Sequence, residues 1–203
     1  MADFAGQLRQ VLATREPPVP PVEIPDDVPD RDLVPTSELR PAAVLVPLID
    51  RPDGWQVLLT QRTEHLPHHA GQISFPGGRL EMTDSTPVSG ALRETEEEIG
   101  VEAARVKIIG SLSVLPTITG FVVVPVVGMV DPDYRLQLDR SEVDSAFEVP
   151  LDFLVDRGNH VTEWATYRGR RRSYTVIQYQ QRRIWGATAQ MIVDLTNRLH
   201  PLS

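Results

Sequence analysis

The run Thr86-Pro87-Val88-Ser89-Gly90-Ala91-Leu92-Arg93-Glu94-Thr95-Glu96-Glu97-Glu98-Ile99-Gly100 predicts a helix from about Pro87 to Ile99. Pro87 suits the first helical position, Thr86 or Ser85 the N-cap, and Gly100 the C-terminal stop. Val88, Ala91, Leu92, Thr95 and Ile99 share one face of that helix and are assigned to the core. Glu94, Glu97 and Glu98 stand three and four residues apart, so their carboxylates crowd together on another face. Like charges at that spacing cost about 0.2–0.5 kcal/mol per pair. They also lie near the helix C-terminus, where the macrodipole disfavours anions. Arg93 is the one cation of the helix and reaches Glu97 one turn on. An acidic run is usually a solvated face, but such faces mix signs, and this one does not. The other reading is a divalent-cation site. Carboxylate oxygens without Cys or clustered His suit a hard ion, Mg²⁺ or Mn²⁺, over zinc.

Upstream, Pro76-Gly77-Gly78 breaks the chain after a short strand, Gln72–Phe75. Glycines there let backbone approach a phosphate, or let a carbonyl face a metal. Further back, residues 42–49 and 55–62 are apolar, β-rich runs. The turn cluster Asp50-Arg51-Pro52-Asp53-Gly54 between them makes a hairpin. Downstream, strands are expected near 104–112, 121–130, 144–149, 161–167 and 173–179. A short helix is expected near 151–156 and a final one near 186–199. Mixed strands with two or three helices indicate an α/β (α+β) sandwich.

The chain has 203 residues, which fits one domain with or without an appendage. Residues 2–15 carry Phe4, Leu8, Val11 and Leu12 at helical spacing. Seven of the 18 prolines then fall between Pro17 and Pro35, which makes an extended connector. The division expected is therefore a helix and proline-rich linker over 1–40 and one domain over 41–203. Few contacts are expected to hold the N-terminal segment. No stretch approaches the roughly 18 consecutive apolar residues of a membrane span. The first ten residues lack an apolar core, so no secretory signal is read. Zero cysteines remove disulfides and thiolate chemistry and suit a cytoplasmic location. A net charge of −8 argues against a nucleic-acid partner. An anionic small molecule remains compatible where arginines or a bound cation reverse the local field.

The run from Gly78 through Asp84 to Arg93-Glu94-Thr95-Glu96-Glu97-Glu98-Ile99-Gly100-Val101 resembles the Nudix box, G-x5-E-x7-R-E-U-x-E-E-x-G-U. It departs from that pattern in having Asp84 for Glu, one extra residue before Arg93, and Thr95 for a bulky apolar residue. The stretch Leu58-Leu59-Thr60-Gln61-Arg62 through His65, Pro67, His68, His69, Gly71 and Phe75-Pro76-Gly77-Gly78 is similar to the signature of the coenzyme A pyrophosphatase branch. So is Arg183-Ile184-Trp185-Gly186-Ala187-Thr188-Ala189. Thr63 replaces a Ser or Ala of that signature, and Pro67 stands where the branch has Arg. The resemblance spans about residues 40–200.

This resemblance implies an α/β/α sandwich around a mixed sheet and Mg²⁺- or Mn²⁺-dependent hydrolysis of a phosphoanhydride. It implies Glu94 and Glu98 as metal ligands, with Glu97 bridging a second ion or orienting the water, and Arg93 holding the glutamates. Glu142 is its candidate general base, with Glu148 and Glu97 as alternatives. Asp84 is either a ligand or a turn residue. Arg62 and His69 are candidate phosphate contacts, beside the backbone of Gly77 and Gly78. Arg168, Arg170, Arg171 and Arg172 are expected to be turn charge, and Trp164, Tyr167 and Tyr174 sheet packing. Three functions stay open: coenzyme A diphosphatase, diphosphatase of another nucleoside diphosphate derivative, and a non-catalytic sensing module. A homodimer also stays open.

Overall fold

Residues 42–49 form a run so continuously apolar that it has to be covered on both faces, and in the computed structural model it lies at the centre of the sheet. The structure describes residues 4–12, 39–66 and 69–199. Strand β1 (Arg40–Arg51) pairs antiparallel with β2 (Gly54–Arg62) and with β4 (Gly77–Arg79). Its other edge pairs in parallel with β7 (Phe121–Val130). Strand β3 (Ile73–Ser74) and β8 (Val143–Pro150) both join β2, while β5 (Val106–Ser111) and β6 (Leu115–Pro116) join β7. The result is a mixed eight-stranded sheet.

Alternation along β1 divides the core. Ala43 and Leu45 meet Ala91 of helix α2 (Pro87–Ile99) together with Val124 and Val126 of β7. Val46 and Leu48 face the opposite way, into a larger cluster with Ile192 and Leu195 of helix α4 (Gly186–Leu199). Helices on both faces of a mixed sheet make the α/β/α sandwich expected. Helix α3 (Leu151–Val155) leads to a second sheet of three strands, β9 (His160–Tyr167), β10 (Arg170–Tyr179) and β11 (Arg182–Trp185), in the order β11-β10-β9. No helix among the described residues is long and apolar enough to cross a membrane.

Three expectations need correction. Pro76-Gly77-Gly78 is not merely a break, because Gly77 and Gly78 belong to β4 and pair with Val44 and Ala43. The N-terminal segment is not loosely held throughout. Helix α1 (Phe4–Leu12) buries Leu8 and Leu12 in the main core, and a Cβ on Gly110 would lie 2.5 Å from the Leu12 carbonyl oxygen. Each such leucine contributes roughly 1.5–3 kcal/mol when fully buried. The proline-rich stretch 13–38 lies outside the described residues. Trp164 is not sheet packing either: it is more than half exposed, with the Arg171 guanidinium 4.7 Å from its ring centre. Its strand, β9, is exposed at most of its positions.

Candidate active site

Local rules fix where helix α2 begins and ends, and so where its glutamates fall. Thr86 caps it, accepting from the Ser89 N–H at 3.1 Å, and the Ser89 hydroxyl reciprocates to the Thr86 N–H at 3.0 Å. Gly100 takes the left-handed conformation (φ 74°) that ends the helix. Glu94 and Glu98 thus lie in its last two turns, facing β4.

Arg93 is the tie of the helix. Its guanidinium donates to Asp84 from Nε (3.1 Å) and Nη2 (2.9 Å) and to Glu97 at 2.8 Å, and it lies 3.1 Å from Glu94. It also donates to the Arg79 carbonyl at 3.2 Å, joining the end of β4 to the helix. Asp84 is held below the usual carboxylate range chiefly by that side-chain bond. Asp84 thus serves Arg93 from the turn that precedes the helix.

Glu98 differs from its neighbours, since it is only 5% exposed. One carboxylate oxygen accepts the Gly77 N–H at 3.1 Å, and the other lies 3.6 Å from Arg62 Nη1. Loss of water pushes its pKa up to about 7, although the Gly77 bond and the Arg62 charge oppose the rise, and Glu94 and Glu142 add to it. Burial likewise raises Glu94. The Glu94 carboxylate fills the space over Gly78, where a Cβ would stand 2.6 Å from its oxygen. Any side chain at 78 would displace it.

Arg62 ends strand β2 and brings Glu142 to the same place, with its Nη2 3.6 Å from the Glu142 carboxylate. The backbone supports this approach, since the Thr63 N–H donates to the Glu142 carbonyl at 2.9 Å. Glu97 is mostly exposed and meets Arg93 alone among these groups. The structure so brings together Arg62, Gly77, Gly78, Arg93, Glu94, Glu98 and Glu142, with Glu97 at the margin. His69 is not joined to them: it is exposed in a left-handed turn (φ 60°), with Nδ1 2.8 Å from the Gln72 side-chain oxygen. Pro67 and His68 lie outside the described residues.

Glu148, the alternative base, is engaged elsewhere. It accepts from Arg51 at 2.6 and 3.1 Å and from the Tyr134 hydroxyl at 2.7 Å, and the Arg51 bond holds it below its ordinary range. It pairs with Leu58, four residues along β2 from Arg62, or roughly 13 Å away. Sequence reasoning missed the Gly77 N–H donor, the burial of Glu98 and the service of Asp84 to Arg93. No periodicity signals the first two, because they depend on β4 pairing under the helix.

Among the described residues no three His, Cys, Asp or Glu side chains converge closely enough to hold an ion as they stand. The donors nevertheless suit a hard divalent ion. They are oxygens, two of them belong to partly or wholly buried carboxylates, and the nearest cation to Glu98 is 3.6 Å away. A stability test follows. Unfolded, Glu98 ionises near 4.5 and folded only near 7, so the folded chain holds this proton more tightly. Its contribution to stability falls as pH rises from 4.5 to 7 and stays low above that. Replacing Glu94 and Glu98 together by glutamine should stabilise the metal-free protein by about 1–3 kcal/mol at pH 8, and hardly at pH 4.5. The same variant should lose the rise in melting temperature that millimolar Mn²⁺ gives the parent. Thermal melts at both pH values, with and without Mn²⁺, read both effects; an undiminished Mn²⁺ response would move the ion elsewhere.

The NUDIX domain family matches residues 39–168. The chain is 40% identical over 160 residues to the uncharacterized Nudix hydrolase NudL of Escherichia coli K12, covering 79% of this chain and 83% of that one. The same identity and coverage hold for NudL of Shigella boydii serotype 18. Among solved structures, a MutT/nudix family protein from Enterococcus faecalis superposes with a TM-score of 0.54 at 19% identity. That superposition covers 99% of this chain and 70% of the other, a likeness of fold.

Proposed function

The chain belongs to the Nudix hydrolase family, and from that premise we propose that it hydrolyses the diphosphate of coenzyme A or an acyl-coenzyme A, giving 4′-phosphopantetheine and adenosine 3′,5′-bisphosphate. Nudix-type hydrolysis of a nucleoside diphosphate derivative is the activity of the family. The finer substrate rests on the 58–78 stretch and on Arg183–Ala189. The observation that carries the chemistry is the buried Glu98 carboxylate, facing Arg62 and Glu142 beside the backbone of Gly77.

In this reading Glu94 and Glu98 hold Mg²⁺ or Mn²⁺, with Glu97 at the edge of the same site. A divalent ion there neutralises diphosphate charge and eases the ionisation of water. Arg93 orients Glu94 and Glu97 through charge-assisted contacts and does not touch substrate. Glu142 takes the proton of the attacking water. It is half exposed at the rim and reaches the site from a loop, as a base that must meet solvent does. Arg62 binds a phosphate of the substrate, and the Gly77-Gly78 backbone lets the diphosphate approach without side-chain interference. His69, turned to Gln72 and apart from the carboxylates, is given no substrate contact in this reading.

A second reading keeps the chemistry and changes the substrate to ADP-ribose, a dinucleotide or a nucleoside triphosphate. Pro67 favours it, because the branch has Arg at that position. A panel of these diphosphates with Mg²⁺ and Mn²⁺, read by identifying products, separates the two. Cleavage of coenzyme A to the two named products supports the first. Cleavage of ADP-ribose with coenzyme A untouched overturns it.

A further inference from the structure

Arg62 makes contacts of an unusual kind for a partly buried guanidinium. Its two terminal nitrogens lie 3.6 Å from Glu98 and 3.6 Å from Glu142, beyond hydrogen-bond length. Its Nε is buried with no hydrogen-bond partner. Arg93, one turn from Glu97 on the same site, shows what a committed arginine looks like, with donor distances from 2.8 to 3.2 Å. The head of Arg62 is therefore held between two carboxylates by charge, without the directional bonds that would fix it there.

The geometry points to Arg62 as an internal counterion. It stands between Glu98 and Glu142 in place of the divalent ion, and hands that place over when the ion binds, which frees its guanidinium for the substrate diphosphate. This rests on the metal-site reading above and adds a competition to it. Several features agree. The described carboxylates do not converge on one point, because Arg93 draws Glu94 and Glu97 one way while Arg62 lies against Glu98 and Glu142. Glu98 stays buried and in need of a positive charge whichever cation supplies it. The orphaned Nε shows that the present position leaves a donor unused, and a phosphate group offers a planar guanidinium two acceptor oxygens at once. Ion binding and substrate binding are coupled as a consequence, since the ion releases the group that binds the anion.

The competition is read without turnover, by Mn²⁺ binding to the full chain followed by electron paramagnetic resonance at pH 8.5, with no substrate present. Arg62→Gln should bind Mn²⁺ about 3- to 10-fold more tightly than the parent, since a positive charge near the ion is gone. Arg62→Lys keeps the charge and should stay within about twofold of the parent. Mn²⁺ binding by Arg62→Gln that is unchanged or weaker overturns the proposal, as does Arg62→Lys binding as tightly as Arg62→Gln. Glu98→Gln separates the two levels. It should abolish tight Mn²⁺ binding; retention would overturn the metal site itself, and the competition with it. Loss in Glu98→Gln together with no change in Arg62→Gln would leave the metal site standing and remove only the counterion.

Discussion

Replacing Glu98 by glutamine is expected to lower kcat by roughly 10³-fold or more on every diphosphate the protein cleaves. The size follows from the metal-holding role proposed for the side chain. Lewis-acid stabilisation of the developing charge contributes several kcal/mol, and each 1.36 kcal/mol is tenfold in rate. Glutamine keeps the shape and can still accept the Gly77 N–H now received by Glu98. It removes the anion, the feature an ion needs. KM should change far less than kcat, since the interaction matters most where charge develops. Misfolding is not a competing explanation, because the buried charge is a strain on the empty protein and its removal should leave the melting temperature equal or higher. A kcat within tenfold of the parent, measured on two unlike diphosphates, would show that Glu98 is not a ligand.

How much of this was legible beforehand differs from element to element. Helix α2 could be read nearly residue by residue, since its cap, first-turn proline, apolar stripe and terminal glycine are all local signals. Helix α4 and strand β7 were equally plain, as long apolar runs with clear ends. Strands β4, β6 and β11 were not. They have three, two and four residues, and β4 is Gly-Gly-Arg, a composition that argues against a strand. It is one only because β1 offers an unpaired edge beside it. That pairing also aims the Gly77 N–H at Glu98, so the least legible strand builds part of the site. The helical spacing makes Glu98 one of three carboxylates crowded on a face away from the core. Three-residue and four-residue steps specify which side chains are neighbours; they do not say that one of the three turns under the sheet edge. The burial of Leu8 and Leu12 was hidden for another reason. A proline-rich stretch separates them from the domain in sequence, and nothing local reports that they return to it.

The identity of the substrate rests most heavily on Arg62, and its replacement by alanine is expected to separate substrate from chemistry. A coenzyme A enzyme has to tell its ligand from other ADP conjugates by the 3′-phosphate or the pantetheine arm. Local cations are needed for that phosphate in a chain of net charge −8. His69 is exposed and turned to Gln72, and the arginines of the β9–β10 hairpin stand on a sheet apart from the carboxylates. Arg62 alone of these is already among them. Loss of one charge-assisted phosphate contact costs roughly 1.5–3 kcal/mol, so Arg62→Ala should lower kcat/KM for coenzyme A by about 10- to 150-fold. Comparison with 3′-dephospho-coenzyme A then places the contact. A loss confined to coenzyme A puts Arg62 on the 3′-phosphate, and equal losses put it on the diphosphate. The second outcome is the one the geometry favours, because a guanidinium 3.6 Å from Glu98 is beside the group an ion on Glu98 would serve. A loss smaller than threefold on both would remove Arg62 from substrate binding altogether.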